Sequence, residues 1–161
     1  MTYEIEIQNE SGYEISVDRL RQAAETVLSR HAVDPATSMT IVIASNETGS
    51  SLNRQFRDVD APTDVLSFPA DAPPVDIPGE PPYLGDLVIA YPYALEQARR
   101  EGHDPDDSFA LLVVHGSLHL LGYDHDTPER RAHMWAAQEE ALVALGISPE
   151  IVPQFEGSAH D

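Results

Sequence analysis

The chain has no cysteine, no lysine and no long apolar run, and each absence removes a class of protein. Without cysteine there is no disulfide framework and no thiolate metal site, so any zinc must be held by His, Asp or Glu. Without lysine, all nine basic residues are Arg, a side chain that grips phosphate oxygens in pairs, although a GC-rich genome produces the same bias. No stretch approaches the roughly 20 apolar residues that a membrane span needs, and nothing at the N-terminus resembles a signal peptide. The expectation is a cytoplasmic protein with no membrane partner. Positive charge is scarce altogether: 28 acidic residues against nine Arg give a formal net charge of −19, which argues against non-specific affinity for DNA or RNA. Proteins from salty interiors carry a surface of this kind.

The residues that are present divide into strands and helices along 161 positions, a size that fits one domain able to bury roughly two-thirds of its unfolded surface. Tyr3 to Gln8 alternates apolar and polar residues as a half-buried strand does, and Met39 to Ala44 is a β-branched second strand. Between them, Asp18 to Arg30 carries Leu20, Ala23, Ala24, Val27 and Leu28 at helical spacing. A short helix is expected from Thr48 to Phe56, then a strand from Val65 to Phe68 that stops at Pro69. Six of the thirteen prolines fall between Pro69 and Pro82, which predicts a loop, and Leu84 to Ala90 resumes strand character. Pro92 opens a helix ending near Gly102, with Arg99 and Arg100 placed where the helix dipole favours cations. Asp104 and Pro105 read as N-cap and first residue of an all-round apolar helix, and Thr127 and Pro128 open a last helix to about Leu145. Residues 148–161 read as a frayed tail. This order predicts an α+β single domain, with a small mixed sheet packed against helices around the central helix.

That central helix bears the most informative motif, His115-Gly-Ser-Leu-His119-Leu-Leu-Gly122-Tyr-Asp-His125. His115 and His119 are four residues apart and so lie one turn apart on one helix face. Gly122 can take the left-handed conformation that ends a helix and returns the chain, bringing His125 toward the other two. Three neutral imidazoles with a fourth position open describe a catalytic zinc site rather than a structural one, with one ion per chain. Gly116 inside the helix costs about 1 kcal/mol relative to Ala and implies a close approach to the backbone, by a packing neighbour or by a substrate.

Such an ion lowers the pKa of bound water toward 7 and polarises a carbonyl or phosphoryl oxygen, so hydrolysis is the natural reaction. The His spacing is also that of the metzincin peptidases. In those enzymes Glu follows the first His as general base, whereas here the position is Gly116, which accepts no proton. A zinc metallopeptidase or other zinc hydrolase remains an alternative, as does a non-catalytic ribosome-assembly factor whose zinc only ties the Gly122 loop to the helix.

The motif from His115 to His125 resembles the signature of the YbeY family of bacterial metal-dependent endoribonucleases, also described as ribosomal RNA maturation factors. The block from Leu52 to Pro69, with Arg57, Asp60 and Asp64 inside it, resembles that family's second hallmark, and Leu84-Gly-Asp-Leu87 its third. The likeness covers most of the chain. It implies that His115, His119 and His125 bind the metal, zinc by expectation, and that Arg57 and His115 are catalytic. It also implies a single-strand-specific endoribonuclease acting on ribosomal RNA precursors, at the 16S 3′ end and in ribosome quality control, with the ribosome or a ribosomal protein as partner. Independently, a guanidinium such as that of Arg57 can bind a phosphodiester at two oxygens and stabilise the charge that builds during cleavage. Its bland alternative is an ion pair with Asp58, Asp60 or Asp64.

Smaller expectations surround the site. Thr63, Asp64 and Ser67 are candidates to line the same cleft and bind substrate, against the alternative of strand-end caps. Asp124 is a candidate to orient a ligand imidazole or to cap the turn after Gly122, and Tyr123 to stack or hydrogen-bond near the metal. His31, His103 and His133 read as surface or packing residues, His160 lies in the tail, and Met134 reads as core. Arg54 with Arg57, Arg99 with Arg100 and Arg130 with Arg131 are the pairs from which a local basic rim can be built.

Overall fold

A computed structural model describes residues 3–57, 64–70 and 82–151, without the side chains of Phe56, Arg57 and Glu150. Four strands form one mixed sheet: β1 (Glu4–Asn9), β2 (Ser38–Ala44), β3 (Val65–Pro69) and β4 (Tyr83–Ala90), in spatial order β1-β2-β4-β3. β1, β2 and β4 run parallel and β3 is antiparallel to β4. The helices are α1 (Val17–Arg30), α2 (Asn46–Arg57), α3 (Tyr91–Glu101), α4 (Pro105–Leu120) and α5 (Pro128–Ala144). The expected α+β fold is therefore observed as a single small domain.

Period-two alternation divides the sheet into two faces. Ile5, Met39, Ile41, Ile43, Val65, Leu87 and Ile89 are all buried and join the main core with the apolar faces of α1 and α4. On the opposite face Ala44, Leu66 and Val88 form a smaller cluster with Val42, Leu52 and Phe68, Leu52 being the contribution of α2. The register explains the division, since Ile41 lies beside Ile7 and Leu87, and Ile89 beside Ile43 and Val65. Helix α4 runs through the centre, with eleven of its sixteen residues buried. Truncating one of its core leucines to Ala should cost about 2–5 kcal/mol.

The helix ends follow local chemistry. Asp104 accepts from the Asp106 N–H and Thr127 from that of Arg130, each ahead of a proline at the first helical position. Helix α2 begins two residues earlier than the spacing predicts because Ser45 caps it, its Oγ accepting from the Thr48 N–H at 3.1 Å. Pro69 falls within β3 rather than stopping it, which is tolerated at the end of an edge strand. After α5, Ile147 and the 3-10 turn Pro149–Ile151 continue the packing, with Ile147 and Ile151 buried. The rest of the expected tail, with His160, and the proline-rich segment 71–81 lie outside the described residues.

Candidate metal centre

Helix α4 places the His115 and His119 rings with centroids 4.7 Å apart. The helix then closes with the Tyr123 N–H donating to the Leu118 carbonyl and the Gly122 N–H to that of His119, both at 3.0 Å. Gly122 has φ of 100°, the left-handed turn expected of it. The chain reverses there, and His125 returns with its ring 5.5 Å from His115 and 5.2 Å from His119. One ligand nitrogen from each His lies within 4.8 Å of the others. His115 is fully buried and the other two are half-buried.

Hydrogen bonds decide which nitrogens face the centre. The Nδ1 of His119 lies 2.9 Å from the Tyr123 carbonyl oxygen, which can only accept, so Nδ1 carries the proton and Nε2 a lone pair. The Nδ1 of His115 lies 2.9 Å from Gln138 Oε1, again an acceptor, with the same result. The two Nε2 atoms face each other at 3.2 Å. Two lone pairs at that separation repel unless a cation lies between them. Tetrahedral coordination at a Zn–N distance of about 2.05 Å would separate two ligand nitrogens by about 3.3 Å. His125 contributes a buried Nε2 with no hydrogen-bond partner among the described residues. The donor set thus fits a divalent metal that takes imidazole ligands, and zinc, nickel, copper and iron all qualify.

The loop between His119 and His125 is held from both sides. His31 donates from Nδ1 to the Val27 carbonyl at 2.8 Å, so its Nε2 accepts from the Tyr123 hydroxyl at 3.0 Å. His133 stacks on the Tyr123 ring at 5.1 Å. Tyr123 therefore serves the centre through its carbonyl, while its side chain pins the loop to α1 and α5. Asp124 accepts from the His125 backbone N–H at 2.7 Å, so it holds the turn and not an imidazole. Met134 is fully buried in the core.

Gly116 is explained by packing. A Cβ there would stand 2.7 Å from Leu87 Cδ2 and 3.3 Å from Ser67 Oγ. Ser67 donates to the Gly116 carbonyl at 3.5 Å, so β3 touches α4 beside His115. Asp64 is buried at 2 % exposure farther along, where it lines a cavity of about 30 Å³ with Gln97, His103 and Ser108. Of the three expected cleft residues, then, Ser67 touches the backbone next to His115 and Asp64 faces the earlier half of α4. Thr63, Asp58 and Asp60 lie outside the described residues, as does the Arg57 side chain; Arg57 is the last residue of α2. Arg130 lines a depression of about 390 Å³ with Tyr123, Asp124 and His133, and is 3.5 Å from Asp126. Arg100 pairs with Glu96 on its own helix.

Two residues of α5 escaped the sequence reading. Gln138 is fully buried and holds His115. Trp135 sets its ring edge-on to His115 and His125, with centroids at 5.9 and 5.6 Å. The available signal was a polar residue on the apolar face of α5, Gln138 standing four positions after Met134 and four before Leu142.

A family model described as Endoribonuclease YbeY matches residues 4–146. A relative from Chloroflexus aurantiacus, named Endoribonuclease YbeY, is 42% identical over 154 residues, covering 93% of this chain and all of its own. One of the same name from Rhodococcus opacus is 40% identical over 144 residues, or 86% of this chain and 79% of its own. Among solved structures, the chain is similar to TM1509 from Thermotoga maritima, with a TM-score of 0.56, 25% identity and coverage of 89% of this chain and 91% of that one.

Proposed function

The chain belongs to the endoribonuclease YbeY family, and from that premise we propose that it is a zinc-dependent, single-strand-specific endoribonuclease of ribosomal RNA maturation, acting at the 16S 3′ end and in ribosome quality control. It is a hydrolase working in the cytoplasm on RNA held by or near the ribosome, with one zinc ion per chain bound by His115, His119 and His125. Among the described residues, no helix is long and apolar enough to cross a membrane.

The observation that carries the metal part is the 3.2 Å approach of two Nε2 atoms whose Nδ1 partners face hydrogen-bond acceptors. When bound, zinc supplies Lewis acidity and a water acidic enough to act as nucleophile near neutral pH. The chain's own groups do the rest. Burial of His115 and the Trp135 ring beside it keep bulk water from one side of the centre, which strengthens electrostatic interactions there. Arg57 binds two oxygens of the scissile phosphodiester and stabilises their growing charge. Its helix packs on β3, the strand that reaches Gly116 through Ser67, and this continuity favours a shared cleft. Ser67 is assigned to the substrate side of that cleft, whereas Asp64, buried against the earlier half of α4, is not. Gly116 in the position of a peptidase's Glu favours RNA cleavage over peptide hydrolysis.

The test is elemental analysis of purified protein joined to a cleavage assay on 16S precursor RNA. His115→Ala should lose both zinc and cleavage, and Arg57→Ala cleavage alone. Full cleavage by both variants would refute the assignment.

A further inference from the structure

Gln138 is a costly residue where it stands. It is fully buried on α5, its Oε1 is committed to His115 Nδ1 at 2.9 Å, and its Nε2 is buried with no partner among the described residues. Half of the amide is thus desolvated without compensation, which makes it a poor device for stability: an apolar side chain of similar volume would fill the same space with no orphaned donor. What an apolar side chain cannot do is accept the His115 proton.

We propose that Gln138 is a positioning residue for the metal centre: by accepting from Nδ1 it selects the His115 tautomer whose Nε2 lone pair faces His119 and His125. Without that acceptor a neutral imidazole can carry its proton on Nε2, where it would point at the other two ligands and block the centre. His119 has a main-chain acceptor, the Tyr123 carbonyl, that no substitution removes, whereas His115 depends on a side chain. The α5 helix thus adds this hydrogen bond and the Trp135 ring to three ligands that come from α4 and its following loop. Because an amide is neutral, the bond fixes the tautomer without adding negative charge beside the ligands, as a carboxylate would.

The proposal rests on metal binding by the three His, and its test separates the two. Zinc affinity of the full chain is measured by competition with a chromophoric chelator, beside thermal unfolding of the metal-free protein. Gln138→Leu and Gln138→Met should unfold no earlier than wild type without metal, yet bind zinc about 10–100-fold more weakly, the usual effect of losing a hydrogen-bond partner to a metal ligand. Gln138→Glu, which keeps an acceptor, should bind within a few-fold of wild type or more tightly. Wild-type affinity in the Leu and Met variants would overturn the positioning role while leaving the metal site standing, and so would a Glu variant as weak as they are. A wild-type protein that binds no zinc would remove the metal reading and this proposal with it.

Discussion

His119 Nδ1 donates to the carbonyl of Tyr123, four residues on, at 2.9 Å. The turn that returns His125 thus also fixes which nitrogen of His119 faces the centre. Because the acceptor is main chain, the side chain of Tyr123 is free to do something else, and it hydrogen-bonds His31. Tyr123→Phe should therefore lower unfolding stability by about 0.5–1.5 kcal/mol, the worth of one hydrogen bond, and leave zinc affinity unchanged. Denaturant titration beside chelator competition checks both halves.

Gly122→Ala should behave differently. At φ of 100° an alanine is strained although nothing among the described residues stands within 4 Å of its Cβ, so the cost, about 1–2 kcal/mol, is conformational. Relaxing that strain rotates the carbonyl of Tyr123 and the ring of His125 together. Weakened zinc binding along with lowered stability is the expected pair, and unchanged zinc binding would mean that the loop tolerates another turn.

Gly116→Ala inverts the usual rule for helices. An exposed helical Gly→Ala gains up to about 1 kcal/mol, but here the new methyl would sit 2.7 Å from Leu87 Cδ2, and overpacking typically costs about 1–3 kcal/mol. Net destabilisation in urea is expected. A more stable variant would mean that Leu87 and β4 yield easily.

These three positions also show what the sequence could and could not disclose. Period and capping rules located the helices, the sheet strands and the returning turn, because Asp104-Pro105, Thr127-Pro128 and Gly122 act within a few residues of themselves. The pattern showed that something approaches Gly116, but not what, since Leu87 and Ser67 lie at sequence separations that only the packed sheet closes. Gln138 was hidden for the same reason: its partner lies 23 residues away on another helix. Tyr123 invited a guess about its ring, while its contribution to the centre is a carbonyl, which every residue has.

Trp135 offers a direct readout of the metal. It is the chain's single tryptophan, and its ring edges onto two of the three proposed ligands. Zinc titration should change its emission with a break at one equivalent per chain, and His125→Ala should abolish the change. Zinc at 1,000 times its dissociation constant should also raise unfolding stability by about 4 kcal/mol, and a chelator should reverse this. Because imidazoles must be deprotonated to bind, the stabilisation should weaken as pH falls.

Charge gives the last prediction. With a net charge of −19 and nine Arg, the protein has few cations with which to release counterions from RNA. Arg100 and Arg130 are each within 4 Å of a carboxylate, and Arg19 and Arg30 likewise. If the contacts near the centre come from Arg54 and Arg57, two phosphates are neutralised, and single-stranded RNA should bind with a log–log salt slope of about −1.4. Arg57→Ala should make that slope shallower by about 0.7, a comparison made on the metal-free proteins so that the charge of zinc does not enter it. A slope several-fold steeper would mean that the other Arg pairs, Arg99 with Arg100 and Arg130 with Arg131, also reach the RNA, and would refute a contact limited to Arg54 and Arg57.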